Sequence, residues 1–262
     1  MRIFHAAVLV LCLFAGPTIA APSSVYLQDL SSSDVRAALQ AGRRMAIIPV
    51  GGTEQNGPHM ALGKHNFRVH ALAGRIASEL GNALVAPVLA YVPEGGINPP
   101  SGHMRYAGTL SVPEDAFKAV LVGAARSLAA HGFTDIVFVG DSGNYQAALK
   151  AVALQLNQQW KAGPARAHHI AEYYDAAQQP FIQQLRQRGL SDTQIGSHAG
   201  AADTALMLAV DARHVQPDHM VADAAGVAGD PRRATAELGQ LGVTLIVQRS
   251  VAAIRRAAAP RP

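Results

Sequence analysis

Cysteine is nearly absent: the 262 residues hold one, Cys12. It lies in an apolar N-terminal stretch that reads as a removable export segment. The remaining chain therefore has neither disulfides nor thiolate metal sites. Aromatic residues make up only 5%, which argues against an aromatic-lined binding barrel. Charged residues are sparse at 15%, with a net charge of +4. Apart from Arg43-Arg44, Arg232-Arg233 and Arg255-Arg256, the basic residues are scattered, so no nucleic-acid-binding face is expected. No apolar run reaches the roughly 20 residues that cross a bilayer. The N-terminal run covers only 6–15, after Arg2 and before Gly16-Pro17 and the small residues Thr18 and Ala20. That pattern is a signal peptide over 1–21. The expectation is a periplasmic or secreted protein with no stable membrane anchor after cleavage.

What is present is a large apolar fraction, 49%, arranged in alternating segments. Met45 to Val50 is continuously apolar and bounded by Gly51-Gly52, as a buried strand would be. A helix is expected from about Phe67 to Leu80 and a strand from Ala83 to Tyr91. Pro113, Glu114 and Asp115 open an amphipathic helix ending at Gly132. Ile136 to Val139 is the next buried strand, followed by a helix from Gln146 to Trp160 and a strand near 167–171. Wholly apolar strands alternating with helices imply a mainly parallel sheet covered on both faces. The expectation is a single three-layer α/β domain over 22–262.

Ligands of such sheets sit beyond the carboxyl ends of the strands. The segments following the strands hold Glu54, Asn56, His59 and His65; Glu94, His103 and Arg105; Asp141, Ser142 and Asn144; and His198 with Asp203. Carboxylates and imidazoles without thiolates suit Zn²⁺ or Mn²⁺.

The motifs P-V-G-G-T-E-Q-N-G-P-H (49–59), L-G-K-H-N (62–66), H-M-R-Y-A-G-T-L-S (103–111) and H-G-F-T-D-I-V-F-V-G-D-S-G-N (131–144) come in order along the chain. H-A-G-A-A-D-T-A-L-M-L (198–208) and G-V-A-G-D-P-R-R-A-T-A-E-L-G (226–239) follow. Together they resemble the creatininase (creatinine amidohydrolase) family. The resemblance implies an α/β layered fold, assembly as a hexamer, and a two-metal site that hydrolyses amide C–N bonds of small molecules. It also implies that His198 passes a proton to the leaving nitrogen. Glu54 keeps its family type, whereas Asn56, His65 and Ser142 stand where the resemblance expects His, Asp and His, and Asp203 replaces a Glu. A compensating exchange is inferred: Glu54, His65, Asp141 and Asp203 as ligands of one Zn or Mn ion, or none, rather than two. Asn56, His103, Arg105 and Ser142 are expected to contact the substrate.

Two other readings follow from the same residues. One is a non-catalytic oligomeric or ligand-binding protein on this fold, with a degraded metal site. The other is an esterase using Ser142 of G-D-S, with Asp211 and His214 supplying its D-x-x-H.

Overall fold

The structure is a computed structural model that describes residues 24–259. The export segment expected over 1–21 lies outside the described residues. Four strands, β1 (Met45–Val50), β2 (Ala83–Val85), β3 (Asp135–Gly140) and β4 (Arg166–His169), form one parallel sheet in the order β2-β1-β3-β4. The α-helices are α1 (Ser32–Gln40), α2 (Lys64–Leu80), α3 (Glu114–Ala130), α4 (Gln146–Gln159), α5 (Glu172–Gln178), α6 (Pro180–Gln187), α7 (Asp192–Ile195), α8 (Ala201–Asp211) and α9 (Ala236–Ala257). Strand residues alternate between two buried cores. Met45, Ile47, Val137 and Val139 pack with α2, α5, α6, α8 and α9. Ala46, Ile48, Ile136 and Phe138 pack with α3 and α4. The mainly parallel α/β sheet flanked by helices is therefore as expected. Among the described residues no helix is long and apolar enough to cross a membrane.

Two boundaries differ from expectation by three residues or more, each for a physical reason. β2 stops at Val85, because after Ala86 N–H donates to the Ile47 carbonyl the next donor to β1 is Leu89, one residue later than a regular ladder allows, so pairing resumes only as a bridge from Leu89 to Val50. α2 begins at Lys64, three residues earlier than its apolar periodicity suggests, and no side chain caps its first turn.

The chain runs from β1 out to β2 and then returns across the sheet to β3. The strand order thus reverses between β1 and β3, where a doubly covered sheet opens a crevice at its carboxyl end. Gly51–Asn66 and Asp141–Tyr145 emerge there.

Candidate functional site

The ends of β1 and β3 are locked together by Tyr145, which is 1% exposed. Its hydroxyl donates toward the carbonyls of Gly51 and Val50 at 2.6 and 2.9 Å. It accepts from the N–H groups of Asp141 and Ser142 at 3.1 and 2.9 Å. Asn66 of α2 accepts from Gly52 N–H at 2.9 Å, and a Cβ on Gly51 would lie 2.1 Å from its Oδ1. Tyr145→Phe is expected to cost about 1–3 kcal/mol, since it strands buried backbone groups. Urea unfolding reads this, and a loss below about 0.5 kcal/mol would contradict the locking role.

Beyond this lock lies a polar cavity of about 180 Å³, lined among others by Glu54, Lys64, His65, Arg68, Asp141 and Asp203. Three carboxylates meet three basic side chains, and the basic ones all come from the first turns of α2. Lys64 Nζ lies 3.5 Å from Glu54 Oε1 and 3.2 Å from Asp203 Oδ2. His65 bridges Glu54 and Asp141 through Nε2 and Nδ1, at 2.8 and 2.6 Å. Arg68 donates to Asp141 Oδ2 at 2.7 Å and to Asp203 Oδ1 at 2.9 Å. Tyr173 adds a hydroxyl to Asp141 Oδ1 at 2.9 Å. Cations at the positive end of a helix are unfavourable by about 0.3–1 kcal/mol each. The carboxylates facing them reverse that sign.

Burial alone would raise the carboxyl pKa values, but the neighbouring cations outweigh it. Lys64 and His65 hold Glu54 well below the usual carboxylate range. Arg68 and His65 lower Asp141, and Lys64 and Arg68 hold Asp203 far down. Burial and Lys64 push the other way on His65, yet Glu54 and Asp141 raise it above an ordinary histidine. Both of its nitrogens donate to carboxylates, as an imidazolium requires.

The other wall holds a second arrangement. His198 Nε2 donates to the Gln55 carbonyl at 2.9 Å, which leaves Nδ1 unprotonated and 3.8 Å from Glu54 Oε1. Burial and Lys64 bring His198 down to about 4. His103 Nε2 lies 3.3 Å from Glu54 Oε2, and the two imidazole rings are 4.5 Å apart. The Gln55 side chain reaches His103 Nδ1 at 3.1 Å, with its own oxygen held by Gly57 N–H. Glu54, His103 and His198 thus present donor atoms within 4.8 Å of one another. One carboxylate and two imidazoles with an open cavity beside them form a set that suits a divalent ion. The Gln55 carbonyl on the far nitrogen of His198 is the kind of outer contact that orients a ligating ring.

Behind Glu54, Glu94 is pushed up to about 8 by burial and then by Glu54. Its Oε2 accepts from Asn144 at 2.9 Å, while Oε1 is buried without a hydrogen-bond partner among the described residues.

The four ligands inferred from sequence are therefore gathered in one place, but only Glu54 belongs to the three-donor corner. His65 has both nitrogens engaged by carboxylates, and Asp141 and Asp203 are engaged by Arg68 and Lys64. His103 and Ser142 line the cavity as expected. Asn56 does not, because its amide N–H groups are spent on the Glu54 and Ala61 carbonyls at 2.9 and 3.0 Å. Arg105 is exposed and lies outside the cavity lining. His59 braces α8, with Nε2 2.9 Å from Thr204 Oγ1. The esterase arrangement is not assembled: Asp211 and His214 line a separate pocket, where His214 stacks on Phe67 at 3.6 Å. Sequence reasoning missed Lys64, Arg68 and Gln55, whose partners lie far along the chain. The one local signal was a helix start rich in positive charge.

Next to this cavity lie a small space beside Arg68 and an open cleft of about 630 Å³, both of which share Gln178 and Ser197 with it.

Comparison with known proteins gives a consistent picture. The family described as "Creatininase: Creatinine amidohydrolase" matches residues 28–254. A mycofactocin precursor peptide peptidase of Mycolicibacterium smegmatis is 31% identical over 68% of this chain, and the match spans 61% of that relative's length. Creatinine amidohydrolase of Pseudomonas putida is 29% identical over 76% of both chains. Among solved structures, a single-substitution variant of creatininase superposes with a TM-score of 0.75 at 26% identity, covering 91% of this chain and all of that one. Creatininase structures described as the Mn form and, for another variant, the Zn-Zn type each give 0.73, at 27% and 26% identity and with 91% of this chain and all of theirs covered. A family match across nearly the whole described chain, on the same α/β fold, leads to one conclusion: this chain belongs to the creatininase family.

Proposed function

We propose that the protein is an exported, metal-dependent amidohydrolase that cleaves the C–N bond of a small amide or cyclic amide. The observation that carries this reading is the Glu54–His103–His198 corner, which opens onto a polar cavity beside the buried ammonium of Lys64. These three residues would hold one divalent ion, Zn or Mn. When bound, such an ion lowers the pKa of a coordinated water toward about 7 and polarises a carbonyl. The Gln55 carbonyl holds the His198 imidazole in place from behind. Lys64 has three N–H groups and two carboxylate neighbours. Its remaining N–H serves the carbonyl oxygen of the substrate. Ser142, which also lines the cavity, contacts the amide. Water adds to the carbonyl carbon, the C–N bond breaks, and the proton released by the water ends on the leaving nitrogen.

His198 serves the ion rather than the proton transfer implied by the resemblance, because its free Nδ1 faces Glu54 beside His103. His198→Ala is accordingly expected to lose the ion and at least about 10²-fold in turnover together. A variant that kept stoichiometric metal while losing turnover would return His198 to proton transfer.

The cavity is smaller than the roughly 300 Å³ and upward of sites for drug-sized ligands, which supports a small reacting group. The adjoining cleft favours one further reading of the substrate, a linear amide whose reactive end enters the cavity and whose remainder lies along the cleft. A panel of cyclic amides, primary amides and short peptide amides, assayed with Zn and Mn, separates the two. No turnover of any member after metal loading would contradict the proposal.

Export to the periplasm is supported by the 1–21 segment, and fractionation of the native host reads it. Assembly as a homo-oligomer is supported by exposed Tyr91, Ile97, Tyr106 and Leu110 in the long loop before α3. Light scattering on the mature chain reads that, and a monomer would contradict it.

A further inference from the structure

We propose that Lys64 and Arg68 are resident counter-ions that bar a divalent ion from Glu54 Oε1 and the Asp141 and Asp203 carboxylates, leaving Glu54 Oε2 to the corner. The chain then takes one ion, at the Glu54–His103–His198 corner, and its second cation is the Lys64 ammonium. The inference deepens the proposed function and rests on it only for the corner ion.

Three buried or half-buried carboxylates around one cavity would ordinarily invite a metal. In this cavity every one of them is already engaged. Glu54 Oε1 is shared by His65 at 2.8 Å and Lys64 at 3.5 Å. Asp141 accepts from His65, Arg68 and Tyr173. Asp203 takes Lys64 at 3.2 Å and Arg68 at 2.9 Å, and its Oδ2 also caps Ala199 N–H at 3.0 Å. A divalent ion placed among these oxygens would face an ammonium and a guanidinium at contact distance. Arg68 cannot deprotonate to relieve this, and both side chains are almost wholly buried, at 1% and 5% exposure. They also have nowhere else to go. They sit one turn apart on α2, with the helix backbone fixing where they project.

The corner is different in kind. His103 and His198 touch neither Asp141 nor Asp203, and the imidazole that Gln55 fixes through its carbonyl leaves a lone pair free toward Glu54. Lys64 is the boundary between the two halves. It lines the cavity, pairs with Glu54 on one side and Asp203 on the other, and holds an N–H in reserve.

The test is metal stoichiometry, read without reference to activity. Stripped wild-type protein and Lys64→Gln are dialysed against micromolar Zn or Mn, and metal per chain is counted by plasma mass spectrometry. Wild type is expected to hold one ion and Lys64→Gln two, with a metal-dependent rise in Tm for the variant that exceeds the wild-type rise. Lys64→Met is the companion variant, since a glutamine amide could itself hold the carboxylates. If either variant folds only with metal, circular dichroism during the same titration reads the same gain. Two ions in wild type, or equal counts in wild type and both variants, would overturn the inference. No ion in wild type with one gained by the variants would sustain the counter-ion role and contradict the corner site of the proposed function instead.

Discussion

Replacing Arg68 with methionine is expected to lower the unfolding free energy by about 3–5 kcal/mol, the range seen when one partner of a buried ion pair is removed. Among the described residues, its guanidinium is the group that joins Asp141, at the end of β3, to Asp203, in the first turn of α8. Methionine fills much of the same volume, so the loss is one of charge pairing rather than of packing. Asp141 would retain His65 and Tyr173, and Asp203 would retain Lys64. Three carboxylates would then share two cations in a space that water barely reaches. For a domain of this size the corresponding fall in Tm is roughly 10 °C. Lysine in the same position would not restore the loss, because one ammonium cannot present the planar fork that meets both carboxylates. Arg213→Met is a fitting contrast. Arg213 pairs with Asp211 at 2.7 Å but is almost fully exposed, and little change is expected there. Urea unfolding of the two variants separates the cases. An Arg68→Met loss below about 1 kcal/mol would mean that the guanidinium is not the electrostatic keystone of the cluster.

The second large effect is expected at Glu54. Its two carboxylate oxygens serve both halves of the site, with Oε1 on His65 and Lys64 and Oε2 toward His103. Glu54→Gln keeps the shape, removes the charge and replaces one acceptor with a donor. The variant should lose the ion, and turnover should fall about 10³-fold, as when a preorganised charge is removed from a reacting centre. Asp203→Asn removes a carboxylate from the same cluster outside the corner, and it should keep its ion. Loss of the ion in Asp203→Asn but not in Glu54→Gln would place the metal on the wrong side of Lys64 for this mechanism.

Much of the architecture was legible because a parallel sheet buried on both faces leaves a blunt signature. Met45 to Val50 and Ile136 to Val139 are apolar at every position, and no helix period competes with them. The reach of β2 was overread in part: the apolar pattern runs on from Val88 to Tyr91, but the regular ladder slips after Ala86 and returns to β1 as an isolated bridge from Leu89 to Val50. At the site, Glu54, His103 and His198 could be singled out because loops following strands are where polar side chains collect. The grouping of ligands could not. Arg68 meets Asp141 across 73 residues and Asp203 across 135, and a sequence does not display such pairings. The start of α2 misled for the same reason. Lys64, His65 and Arg68 stand at the end of a helix where cations are unfavourable, and their placement makes sense only once the opposing carboxylates are in view. His65 reads as a ligand through its exchange with Asp141 at the positions that the resemblance marks; in the structure its two nitrogens meet Asp141 and Glu54 at 2.6 and 2.8 Å.

The most direct test of the central claim is a titration of the stripped mature protein with Zn or Mn, following hydrolysis of an amide taken from the panel. Turnover is expected to be absent without metal, to rise in proportion to added ion, and to level off at one equivalent per chain. Turnover that persists in the stripped protein, or that levels off only at two equivalents, would contradict a site built from one metal ion and a buried lysine.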